Sequence, residues 1–131
     1  MVGLITQAST FGAKETMDRL EAEVRKKGMT VFARVDHAAG AVDVGLELRA
    51  TELLVFGNAR VGTPLMQHDQ TIGLDLPLKM LVWQDAEGRV FVSYYDPERL
   101  LGEHGVAAGN ASVGAMTAVL AALGKSATAD A

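Results

Sequence analysis

The chain has 131 residues, the size of one ordinary domain that can bury its own core. Apolar residues make up 49% and charged residues 21%, a globular rather than a disordered composition, and the absence of cysteine excludes disulfides, thiol catalysis and cysteine-held zinc or iron–sulfur sites. A net charge of −4, no basic stripe and 5% aromatics argue against nucleic acid as a partner.

The opening "MVGLITQASTFGAKE" has neither a basic leader nor a long apolar core, so no signal peptide is expected and cytoplasm is the compartment assumed. "GLITQAS" is short and β-permissive, a first strand. Ser9 or Thr10 then suits the N-cap of a helix, in which Ala13, Met17, Leu20 and Val24 form one apolar stripe and which Gly28 ends. The cations Arg25, Lys26 and Lys27 complement the end of that helix.

"TVFARVD" alternates Val31, Ala33 and Val35 with Phe32, Arg34 and Asp36, a half-buried strand. "HAAGAVDVGLEL" is expected to hold a short helix and a connection, and "TELLVFGN" an interior strand. In "FGNARVGTPLMQ", Thr63-Pro64 has the form of a helix start, with the hydroxyl capping and proline in the first turn. Capping leaves Asn58, Arg60 and Gln67 unexplained as a group, which makes this segment a candidate ligand loop. "LPLKMLVWQD" and "RVFVSYYD" are two strands of a hairpin turning at Gly88, and Tyr94 and Tyr95 point to opposite faces of the second. Asp96 caps a short helix opened by Pro97 and closed by Gly105.

From Gly105 to Gly124 no residue is charged, but Asn110, Ser112, Thr117 and four glycines make a loop and a small-residue helix, over about residues 112–124, the expected reading rather than a membrane span. The tail from 125 to 131 has the small polar character of a frayed end. The order of elements describes an α+β domain: a mostly antiparallel sheet of about five strands with helices packed on one side. One sheet face is then left for a ligand or a second subunit.

Polar residues beyond those needed for caps mark the candidate site: Asp36, His37, Asn58, Thr63, Asp75 and Tyr94. His37 follows a strand directly, and Asp75 lies among apolar residues, where a carboxylate needs donors or a ligand. His37 with Asp75 or Asp36 would make an acid–base pair. The histidines His37, His68 and His104 show no helical metal spacing and no HExxH, so no metal site is assigned, even with carboxylates such as Asp75 or Glu103 nearby.

Four blocks, "FARVDHAAGA", "TELLVFGNARVGTPLMQ", "LDLPLKMLVW" and "VSYYDPERLLGEHGV", resemble domain of unknown function family 302 over about residues 9–106. The resemblance implies a TATA-binding-protein-like α+β sheet in a single domain, and association as a homodimer. It places the family's characteristic polar residues at Asp36, His37, Asn58, Thr63, Gln67, Asp75, Ser93, Tyr94, Asp96 and His104, and departs from the usual proline at Ala59. It names no reaction and no cofactor. The leading expectation is a dimeric binding protein for a small polar ligand or metal ion. The rivals are an enzyme with His37 as general base, and an interaction module whose C-terminal helix, through Met116 and Leu120, makes the dimer contact.

Overall fold

The computed structural model describes residues 3–129. Five strands, β1 (Leu4–Ser9), β2 (Thr30–Asp36), β3 (Thr51–Gly57), β4 (Leu78–Gln84) and β5 (Val90–Tyr95), form one sheet in the order β1-β5-β4-β3-β2. Every neighbouring pair is antiparallel. The helices are α1 (Ala13–Lys26), α2 (His37–Asp43), α3 (Ala59–His68), α4 (Pro97–Gly102) and α5 (Ala111–Thr128), with a 3₁₀ turn at Gln70–Leu74. The expected α+β class, strand number and hairpin are all present, with Gly88 at φ +83° in the hairpin loop.

The core lies between the sheet and the α1–α5 pair. Met17, Leu20 and Val24 of α1 and Leu120 and Leu123 of α5 are fully or almost fully buried against Leu54, Phe56, Met80, Val82 and Val92 of the central strands. Burying large aliphatic side chains of this kind is worth roughly 1.5–3 kcal/mol each. Arg34 reinforces the same face. Its guanidinium reaches the Glu52 carboxylate through Nε (2.6 Å) and Nη2 (3.1 Å), and through Nη1 the carboxylates of Asp18 (2.9 Å) and Glu21 (3.1 Å) on α1. The Lys14 and Arg34 contacts hold Asp18 below the usual carboxylate range, and those of Arg34 and Arg25 do the same for Glu21.

Several local expectations are corrected. Helix α1 starts three residues later than a Ser9 cap and two later than a Thr10 cap requires, with Gly12 at the N-cap. The Ser9 hydroxyl instead accepts from Phe11 N–H and bonds Thr16 Oγ1. Strand β2 is not strictly alternating, because a bulge between Val31 and Ala33 inserts Phe32 into the register. Helix α3 begins at Ala59, capped by Asn58 accepting from Arg60 N–H (2.9 Å), so Thr63 and Pro64 lie inside it.

Helix α5 runs from Ala111 to Thr128 rather than ending near 124, and Ala127 and Thr128 are buried. Its last carbonyls are satisfied from elsewhere in the chain, which is what extends it. Thr10 N–H (2.8 Å) and Thr10 Oγ1 (3.0 Å) donate to Thr128 O, and Arg19 Nη2 donates to Ser126 O (3.2 Å). Of the expected frayed tail, Asp130 and Ala131 lie outside the described residues. Met116 and Leu120 are 4% and 1% exposed in the chain's own core, so they are not available as a dimer contact.

At Gly124, α5 packs closely on the sheet. A Cβ there would stand 2.8 Å from Gln7 Oε1, 3.7 Å from Met80 Cε and 3.8 Å from Tyr94 Cε1. Gly124→Ala, which only has to displace the end of Gln7 and gains helix propensity, is expected within about 1 kcal/mol of wild type. Gly124→Leu drives into Met80 and Tyr94 and is expected to lose roughly 2–3 kcal/mol in urea unfolding. Equal stabilities for the two variants would show that the approach is not tight.

Candidate functional site

Two polar or concave features stand out: a cavity at the β2–β3 end of the sheet and a hydrogen-bonded cluster around His104. The cavity has a volume of about 480 Å³ and lies where β3 runs into α3, walled by α3, the segment Leu76–Leu78 and the first half of α5. Its lining is mostly apolar: Met29 and Phe32, Val61 and Met66, Leu76 and Pro77, Ala115, Met116 and Val119. Asn58 and Thr63 supply an amide and a hydroxyl, and Lys27 is the one ionisable residue in the lining among the described residues.

Local structure explains this composition. The bulge in β2 leaves Phe32 without a ladder partner, 58% exposed, and brings its ring to the cavity edge, 3.6 Å from where a Cβ on Gly57 would lie. Gly62 lets α3 approach the Leu76 side chain closely, since a Cβ there would meet Leu76 Cδ1 at 3.3 Å.

The second feature lies beside the same wall. Asp69 caps the 3₁₀ turn, accepting from Thr71 N–H (3.0 Å) and Thr71 Oγ1 (2.7 Å). Asp75 closes that turn, next to the cavity residue Leu76. His104, just after α4, reaches across to both: Nε2 is 2.6 Å from Asp75 Oδ2, and Nδ1 is 3.1 Å from Thr71 Oγ1 and 3.5 Å from Asp69 Oδ2. As imidazolium, His104 donates to Asp75 through Nε2 and to Thr71 through Nδ1, and Thr71 passes its own proton on to Asp69. The Asp75 hydrogen bond, followed by the charges of Asp75 and Asp69, holds the imidazole above the ordinary histidine range. The Thr71 hydrogen bonds, with a smaller part from His104, lower Asp69. The cluster ties the α4–α5 corner to the segment that floors the cavity.

Of the residues singled out in the sequence, Asn58 and Thr63 meet at the cavity and the other four do not. Asp36 caps α2, accepting from Ala39 N–H (2.9 Å), and lines a separate depression of about 310 Å³ with Arg34 and Glu52. His37 is exposed at the start of α2 and has no hydrogen-bond or ion-pair partner among the described residues. Tyr94 is 7% exposed on the helix-facing side of β5, where burial first and the Asp96 charge second raise its phenol. Asp75 does find a donor, but the donor is His104, so the expected His37–Asp75 pair does not form. The Asp36 carboxylate is occupied by its cap, which leaves a His37 general base without an orienting partner. Among the described residues no group of three or more His, Asp or Glu is placed to hold a metal ion.

Sequence reasoning missed Phe32, Met66, Lys27 and the α5 wall of the cavity, together with Asp69 and Thr71 of the cluster. The signals available were the phenylalanine inside an otherwise alternating strand and the Asp-x-Thr turn before "GLDLP".

The pattern of the domain-of-unknown-function family DUF302 matches residues 5–123. The chain belongs to the DUF302 family. The crystal structure of an uncharacterised conserved DUF302 protein from Bacillus stearothermophilus shares the fold, with a TM-score of 0.86 at 21% identity, over 97% of this chain and 99% of that one. Relatives in sequence include "Fluoride-specific ion channel FluC 1" of Brucella suis biovar 1 (strain 1330), 48% identical over 102 residues. A protein of the same name from Brucella abortus biovar 1 (strain 9-941) is also 48% identical over 102 residues. The match takes in 78% of this DUF302 chain but only 40% and 38% of those two proteins. Among the described residues, no helix is long and apolar enough to cross a membrane.

The His104 cluster has a pH signature. Because the folded imidazole titrates above its ordinary value of 6.5, its contribution to stability is fully present below about pH 6.5 and fades as pH rises through the folded value. The difference in urea midpoint between wild type and His104→Gln is therefore expected to be larger at pH 6 than at pH 9. The same difference at both values would show that the ring's charge does not hold the contact.

Proposed function

We propose that this DUF302 domain is a binding protein for a small, largely apolar molecule, held in the cavity between the β3–α3 junction and α5. The supporting observation is the lining: about 480 Å³ of concavity walled by methionine, phenylalanine, valine and leucine side chains, with only Asn58, Thr63 and Lys27 as polar side chains. Volumes of this order with a few convergent polar groups are characteristic of small-molecule sites. The expected polar ligand gives way to an apolar one on this reading, because a polar molecule would lose more hydration than an amide, a hydroxyl and one ammonium return. On this proposal the channel activity named for the Brucella proteins resides in the larger part of those chains, which this domain does not match.

A second reading concerns association. The sheet face away from the helices carries the row Val35, Leu53, Leu81, Ser93 and Thr6 and the row Thr51, Trp83, Phe91 and Ala8, followed by Val55 with Lys79 and by Tyr95 with Leu4. Trp83 and Phe91 stack with centroids 4.9 Å apart, and Trp83 Nε1 donates to Ser93 Oγ (2.9 Å). A solvated antiparallel face ordinarily alternates to polar residues, whereas Lys79 is the one charged residue in these rows. The composition supports a homodimer in which two such faces pack together.

Both readings have direct tests. Nile red, a neutral apolar dye, is expected to bind the purified protein and be displaced by decanol. Ala115→Trp, which fills the cavity from an exposed position on α5, is expected to weaken that binding at least tenfold without lowering the thermal midpoint. Absence of dye and decanol binding to wild type would sink the ligand reading. For association, sedimentation equilibrium of wild type is expected to give a dimer. The Leu4→Glu/Val35→Glu variant, altered at side chains 39% and 40% exposed, is expected to give a folded monomer. A monomeric wild type at the same concentration rules the dimer out.

A further inference from the structure

Resting on the cavity reading above, we infer that the ligand is an anionic amphiphile: an apolar tail in the cavity and a carboxylate or similar head at Lys27. The tail half of the inference comes from the walls contributed by Met66, Leu76, Met116 and Val119. The head half comes from the mouth. Lys27 is exposed, is the one ionisable side chain in the lining, and its ammonium has no ion-pair or hydrogen-bond partner among the described residues. What sets Lys27 apart from the other cations unpaired among the described residues, such as Lys26 and Lys125, is its place in the cavity lining. Arg25, two residues earlier, is paired with Glu21 at 3.0 Å, and Arg34 is held by three carboxylates.

Among the described residues, no carboxylate lines the cavity to compete for the ammonium. Asn58 adds donors of the right sign, since its Oδ1 is occupied by Arg60 N–H and its Nδ2 is the part of the amide left to a ligand. The Thr63 hydroxyl lies on the same helix one turn further on. A cationic head would meet Lys27 with no compensating acid, and a neutral head would leave the ammonium as it is. The chain as a whole carries −4, so any preference for anions has to arise locally at this mouth.

Isothermal titration with decanoate, decanol and decylamine separates the tail from the head, because the three share one chain length and differ in head charge. Decanoate is expected to bind about fivefold more tightly than decanol, and decylamine more weakly than both, as for an exposed ion pair. The decanoate preference is expected to shrink in molar salt. Lys27→Gln is expected to make decanoate and decanol equivalent, and Lys27→Glu to put decylamine first. Lys27 is exposed at the C-cap of α1, so Lys27→Gln is expected to lower the thermal midpoint only slightly and Lys27→Glu somewhat more, through the lost and then reversed helix-end charge; the midpoint is measured alongside to show that both variants stay folded. Equal binding of decanoate and decanol by wild type, or a preference that survives Lys27→Gln, overturns the headgroup inference and leaves the apolar-cavity reading standing. Failure of all three compounds to bind overturns both.

Discussion

The burial of one face of the sheet under α1 and α5 is the constraint on which everything else in this domain depends. Phe56, Met80, Val82 and Val92 can leave water only if two helices lie across them, and α1 has enough apolar stripe for one half of the sheet. The other half falls to α5, whose small residues let it approach at Gly124 and whose end is fastened by Thr10 and Arg19. The same helix, through Ala115, Met116 and Val119, also forms a wall of the cavity. Core and candidate site thus share one element, and Met116 belongs to both.

The region around the cavity is held by contacts of a different kind. The segment Asp69–Leu78 is a 3₁₀ turn followed by the approach to β4, with Ile72 buried and Leu74 exposed. Its position relative to α4 and α5 is set by His104, which holds the turn through Asp75 and, by way of Thr71, Asp69. A cationic imidazole between two carboxylates is a directional contact, stronger than a neutral hydrogen bond and sensitive to charge. This gives the floor of the cavity an attachment that weakens as pH rises through the folded imidazole's value, opposite in sign to the Arg34 contacts with Asp18 and Glu21 on α1.

The family membership, the DUF302 fold and the Brucella relatives bear on function in different ways. The B. stearothermophilus structure establishes a common architecture at low identity, which leaves side-chain chemistry free to differ. The Brucella proteins share nearly half of their residues with this chain over the matched region, yet that region is a minor part of each. A binding cavity and an apolar sheet face are features that serve equally in a domain alone and in one joined to others. The cavity reading accordingly rests on its own lining and on nothing borrowed from those names.

The sequence by itself determined the α+β class, the strand hairpin, the α1 stripe, the Asp96 cap and the family, because each is written in local periodicity, turn chemistry or contiguous motif blocks. It also marked Asn58, Thr63 and Asp75 as polar residues with something to do. Only the tertiary structure decided what that was. Asp75 is sequentially far from His104 and from His37, and nothing local distinguishes one imidazole as partner from the other. The Phe32 bulge depends on how β2 registers against β3, and the start of α3 depends on Asn58 capping one turn before the Thr63-Pro64 signal could act. The end of α5 depends on donors from β1 and α1 that arrive only on folding. Lys27, which looks from sequence like one more cation at a helix end, acquires its place at the mouth of an apolar cavity only when α5, α3 and β2 meet there.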